Sequence, residues 1–212
     1  MSKSSALTSI VAFAAMVLPL AASAESNVQT GAATASPGAT AHVDFQITIP
    51  KVLYLRVGTG SSYTTGALVN NATVDQIQFA PSAAALGNGT PVAGTGGDLT
   101  GGVETAAVVS NSGNVTLNAT ASGALSDGAS NTIAFTQITT TSSTLTSATA
   151  LPAPALTNGV STNVVLTAPA SKIINQDAKW TYAYANTAVP AAGTYGGVNT
   201  NNSRIVYTAT MP

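Results

Sequence analysis

VETAAVVSNSGNVTLNATA, residues 103–121, decides the fold class of this chain. In its second arm Val115, Leu117, Ala119 and Ala121 alternate with Thr116, Asn118 and Thr120. A period of two puts the first set on one face of a sheet and the second on the other. The first arm, 103–109, is apolar and β-branched, and Ser110, Asn111, Ser112 and Gly113 between the arms are turn formers. The stretch predicts two strands joined as a β-hairpin.

The same alternation recurs outward from there. In 204–211, Ile205, Tyr207, Ala209 and Met211 oppose Arg204, Val206, Thr208 and Thr210, and in 178–185 Trp180, Tyr182 and Tyr184 share a face. In 41–49, Val43, Phe45, Ile47 and Ile49 alternate with His42, Asp44, Gln46 and Thr48, and Pro50 ends or bends that strand because it lacks a ladder donor. Residues 51–57 are apolar on both faces, as in a central strand. Further strands are expected over 73–79, 132–138 and 160–168. Residues 81–102, rich in Gly, Ala and Pro, read as a long loop, and the Ser/Thr tract 139–150 reads as exposed. No segment after the N-terminus keeps a helical period. Short strands separated by Gly-rich turns predict an all-β fold, an antiparallel β-sandwich with long Gly/Thr/Ser-rich loops.

The N-terminus reads differently. Lys3 is followed by an apolar run over 10–20, Pro19, and then Ala21, Ala22, Ser23 and Ala24. A basic start, a short apolar stretch and small residues before the cut make a secretory signal peptide. Ala22 and Ala24 fit the peptidase pocket, and the mature chain is expected to begin at Glu25. The run is shorter than the roughly 20 residues a bilayer span needs. The expected organisation is a signal peptide over 1–24, a flexible arm over 25–40 and a single sandwich domain over 41–212, in a chain exported to the periplasm, cell surface or medium, with a bacterial source.

Composition narrows the function classes. Only 6% of the 212 residues are charged, against about 25% in ordinary globular domains. Without Lys3, five basic and seven acidic residues remain, so no basic patch exists to neutralise phosphates, and nucleic acid is not an expected partner. Cysteine is absent, which removes thiol catalysis, disulfides and Cys-based zinc sites; a domain of this size has core enough to fold without disulfides.

Catalytic patterns are sparse. His42 and Asp44 share a strand face, yet no G-x-S-x-G elbow accompanies them, and a solvent-facing edge-strand histidine is the simpler reading. Asp98 and Glu104 flank a Gly-rich loop whose carbonyls suit calcium, but two acids without a repeated spacing do not define a cation site. Four Asn-x-Thr triplets, at Asn71, Asn88, Asn114 and Asn118, match a glycosylation acceptor in a chain already rich in both residues. No catalytic, cofactor-binding or metal-binding residue is assigned, and no cofactor is expected.

Pro190-Ala191-Ala192-Gly193-Thr194-Tyr195, followed by the alternating 204–211 segment, resembles the close of chaperone–usher pilus subunits, and 114–121 with Ile133-Ala134-Phe135 is similar to their middle strands. The resemblance covers the C-terminal half. It implies an incomplete immunoglobulin-like sandwich whose final strand, with Ile205, Tyr207 and Met211, takes part in assembly, and partners that are copies of itself or a periplasmic chaperone and usher. Independently of it, a chain with so few charges has few means of blocking its strand edges. The leading expectation is an exported structural or adhesive surface protein that assembles by strand addition, with 25–40 as the donor. The alternative is a secreted carbohydrate- or surface-binding module that stacks sugars on Trp180, Tyr182, Tyr184 or Tyr195; a hydrolase ranks third.

Overall fold

A computed structural model describes residues 26–33, 38–59 and 68–212. The expected cleavage site, with Ala22, Ala24 and Glu25, lies outside the described residues. The chain divides into Met1–Ile49 and Pro50–Pro212, and regular structure among the described residues is confined to the second unit. The segment 41–49 alternates as read but is not a strand. Val43, Phe45, Ile47 and Ile49 are 74%, 89%, 85% and 75% exposed. Alternation gives a segment two chemically distinct faces; it does not supply the neighbouring edge that a ladder requires.

The body is antiparallel and almost entirely β. Its strands are β1 (Leu53–Val57), β2 (Ile77–Gln78), β3 (Val92–Ala93), β4 (Thr95–Gly96), β5 (Val103–Ser110), β6 (Val115–Ala121), β7 (Leu125–Ser126), β8 (Thr132–Ile133), β9 (Ile138–Ser143), β10 (Ser161–Leu166), β11 (Ile174–Tyr184) and β12 (Ile205–Thr210). One sheet centres on β11, which pairs β5 over most of its length, β3 near its end and β9 along its other edge, while β1 pairs β5. A second sheet has the order β10-β6-β12. The pairs β2–β4 and β7–β8 are short ribbons.

The predicted hairpin is not one. Both of its arms are strands, but β5 lies in the first sheet and β6 in the second. The turn between them crosses from sheet to sheet, and its polar groups are used elsewhere. The Asn111 side chain accepts from Val52 N and donates to Pro50 O, each at 2.8 Å, and Gly113 N donates to Lys172 O. Stacking suits the side chains: Ala106 and Val108 from β5 and Val115, Leu117, Ala119 and Ala121 from β6 enter one core with Ala178, Trp180 and Tyr182 from β11.

One more expectation changes. Residues 51–57 have the apolar content of a central strand, yet among the described residues β1 pairs only β5, so that content serves an edge. The tract 139–150 is mostly exposed, as expected, and its first part is β9. Thr139 and Thr141 hydroxyls donate back to Ala183 O and Thr181 O across the ladder. Hydroxyl-rich strands are hard to see in a sequence because β-propensity mostly records burial.

Candidate functional site

The last strand is incompletely covered. β12 pairs β6 on one side, and among the described residues it has no partner on the other. Ile205, Tyr207 and Ala209 point inward but remain half-buried, whereas Val115, Leu117, Ala119 and Ala121 of neighbouring β6 are buried. At its C-terminal end β12 closes on the start of β1: Lys51 Nζ donates to Pro212 O at 2.9 Å, and Ser110 Oγ lies 3.4 Å from Met211 Sδ. Toward Val57 and Ile205 the two strands leave a groove of about 1160 Å³.

Leu55 and Val57 of β1 and Ile205 and Tyr207 of β12 line this groove. Tyr182 and Tyr184 lie among the residues that line it, with Phe135, which a single 3-10 turn (Phe135–Gln137) places there. Residues 73–81 and 190–199 contribute the remaining boundary. The Tyr182 and Tyr207 hydroxyls meet at 3.0 Å, and the Tyr207 ring packs on Trp180 with centroids 5.3 Å apart. Burial pushes the Tyr207 hydroxyl up to about 12, and it pushes Tyr182 up further; both stay protonated and neutral near neutral pH.

The two carboxyl groups that line the groove come together at one place. Glu104, on β5, is only 4% exposed, and both it and Asp75 line the groove. Glu104 Oε2 accepts from Asp98 N at 3.3 Å. Asp98 itself is committed to Arg56 at 3.4 Å and to the amide and hydroxyl of Thr105. Asp75 Oδ2 accepts from Thr59 N at 2.5 Å. Burial first, and the neighbouring Asp75 charge second, raise the Glu104 carboxyl to about 8. The corner is made possible by Gly58, whose φ is +75°. A Cβ there would sit 2.5 Å from Asp75 Oδ2 and 2.6 Å from Glu104 Oε2.

The residues singled out in the sequence fall in distinct places. Trp180 is fully buried, with its indole N–H on Leu151 O at 2.8 Å, and Tyr182 and Tyr184 are buried beside it. A stacking platform needs those faces in solvent, so these three rings do not form one. Tyr195 lines the groove, and its hydroxyl donates to Ala191 O. Ile205 and Tyr207 line the groove, and Met211 packs against the core at its closed end. His42 and Asp44 are exposed in the segment before the body. Asp98 and Glu104 do come together, but their oxygens face backbone and side-chain donors within the fold. Among the described residues no group of three or more His, Asp or Glu is placed to hold a metal ion, and no helix is long and apolar enough to cross a membrane.

The sequence reading missed Asp75 and Gly58 altogether. Neither sits in a motif, and their proximity to Glu104 depends on chain segments that meet only in the fold. Comparison with known protein families, curated proteins and solved structures finds no match.

Proposed function

We propose that this is an exported structural or adhesive surface subunit, an immunoglobulin-like sandwich lacking one strand, in which copies join by strand addition. One observation carries the reading: the described residues hold both an apolar groove beside a strand with one unpaired edge and a segment with the chemistry to fill it. Val43, Phe45, Ile47 and Ile49 present four large apolar side chains on one face, all exposed. From Val43 to Ile49 an extended chain spans about 20 Å, the length of a six-residue strand such as β12. In strand addition the backbone supplies affinity, and pockets for alternate side chains supply register.

The donor is therefore 41–49 rather than the arm 25–40, whose described part offers Val28 as its one large apolar residue. A neighbouring copy is the natural acceptor. Burying the four side chains contributes about 1.5–3 kcal/mol each, against roughly 4–15 kcal/mol for association. The two are of one size, so hydrogen bonding along the free edge of β12 decides whether the joint holds.

The test is the full mature protein, co-expressed with its neighbouring secretion genes and examined by size-exclusion chromatography and electron microscopy. Multimers are expected, and Phe45→Asp with Ile47→Asp reduces them to monomers. Since the chain has no cysteine, Ile47→Cys and Ile205→Cys copies mixed under oxidising conditions report the joint without background. A wild-type protein that stays monomeric overturns the assembly reading; multimers unaffected by the Asp substitutions overturn the choice of donor.

A further inference from the structure

We infer that residues 73–76 form a strap fastened at the groove by one proton shared between Glu104 and Asp75, and that loss of this proton frees the strap and opens the groove to an incoming strand. The inference rests on the groove being the assembly site. Its observations are separate from those that identify the donor.

The strap is exposed at Thr73, Val74 and Gln76 and half-buried at Asp75, and all four border the groove. Its N-terminal side makes a local turn, Thr73 N on Asn71 Oδ1 at 2.9 Å, and its C-terminal side enters the short ribbon of β2 with β4. Between them Asp75 reaches the body, accepting from Thr59 N and meeting the Glu104 carboxyl over Gly58. Two carboxylates side by side repel, so the contact is stable only while one carries a proton and donates to the other.

Which of the two keeps the proton follows from their surroundings. Glu104 is buried on β5, whereas Asp75 is half-buried with exposed residues on either side of it. The other groups facing Glu104 do not relieve it. Asp98 adds a further negative charge, Tyr182 and Tyr207 are neutral hydroxyls, and Arg56 is turned to Asp98 and to Gly58 O. The Glu104 carboxyl, raised to about 8, goes from roughly 3% ionised at pH 6.5 to roughly 97% at pH 9.5. On ionisation the proton passes to solvent, and like charges are left on the two carboxyl groups that meet over Gly58.

A spin label on Val74→Cys in the full mature protein reads the strap directly, because Val74 is exposed and the chain has no other cysteine. The label should be immobile at pH 6.5 and mobile at pH 9.5, with a midpoint near 8. Glu104→Gln keeps a donor toward Asp75 without titrating, so its label should stay immobile throughout. Asp75→Asn, which donates to Glu104 instead, should do the same and serves if the first variant folds poorly. In parallel, the association rate of a peptide spanning 41–49 should rise about tenfold over this range in the wild-type protein and stay flat in Glu104→Gln. Label mobility that is flat with pH, or that rises equally in Glu104→Gln, overturns the latch, as does a peptide rate that ignores pH. A label that titrates as expected beside a peptide that binds at no pH supports the latch and sinks the strand-addition reading.

Discussion

Replacing Trp180 probes the centre of this fold. The side chain has no exposed surface, its N–H donates to Leu151 O at 2.8 Å, and its ring lies 5.3 Å from that of Tyr207. Trp180→Ala leaves a cavity between the sheets and should cost about 3–5 kcal/mol. The lost hydrogen bond is a small part of this, on the order of 0.5–1.5 kcal/mol, because Leu151 O keeps a second donor in Ser142 Oγ at 2.6 Å. Trp180→Phe removes the N–H and one ring but retains most of the volume, so it should cost about half as much. With a urea m-value of about 1–3 kcal/mol/M, the alanine variant should unfold at a urea concentration lower by more than about 1 M. The assay is urea unfolding followed by far-ultraviolet circular dichroism, since the substitution removes the one tryptophan that fluorescence would report. An alanine variant within about 1 kcal/mol of wild type refutes the picture of two sheets packed on this ring. A phenylalanine variant as damaged as the alanine one means that the hydrogen bond, and not the volume, is what matters.

Three further outcomes follow from the same physics. Asp177 is buried; burial resists its ionisation, but hydrogen bonds from Thr146 and Ser147 outweigh that and hold its carboxyl below the usual aspartate range. Its folded pKa is depressed, so its stabilisation is present above the unfolded value of 3.8 and lost as pH falls through the folded one. Asp177→Ala should therefore be less stable than wild type at pH 7 by about 1–3 kcal/mol, with the gap narrowing on acidification in thermal melts. Gly96 has φ +84° and no room for a methyl group beside Gln76 O, whereas Gly89 has φ +76° in open space; Gly96→Ala should lower the melting temperature clearly more than Gly89→Ala, and equal losses would refute the close approach of β4 to the segment at Gln76. Intact-mass measurement of the exported protein should give a chain beginning at Glu25; retention of residues 1–24 would refute the signal-peptide reading.

Much of the strand inventory was legible because burial follows a period of two wherever a sheet covers one face. Val115, Leu117, Ala119 and Ala121 are buried as their spacing implies, and Ala178, Trp180, Tyr182 and Tyr184 line one inward face of β11. Errors arose where strand identity depends on a partner. The polar strand β9 has no apolar face to announce it; its pairing to β11 comes from backbone groups, which every residue has. The segment 41–49 has the right pattern and forms no strand, because alternation does not supply an edge.

By itself the sequence determined an all-β chain without disulfides, with few charges and with its inward residues marked by alternation, since side-chain polarity and backbone preference are local properties. Only the tertiary structure decided that β5 and β6 belong to different sheets, that among the described residues β12 keeps a free edge beside an apolar groove, and that Glu104 meets Asp75 there. Sheet hydrogen bonds join residues far apart in the chain, and a carboxyl's pKa depends on what surrounds it after folding. The hairpin and the sheet-to-sheet crossing can be written with the same nineteen residues, 103–121; packing of the two apolar faces on Trp180 selects the crossing.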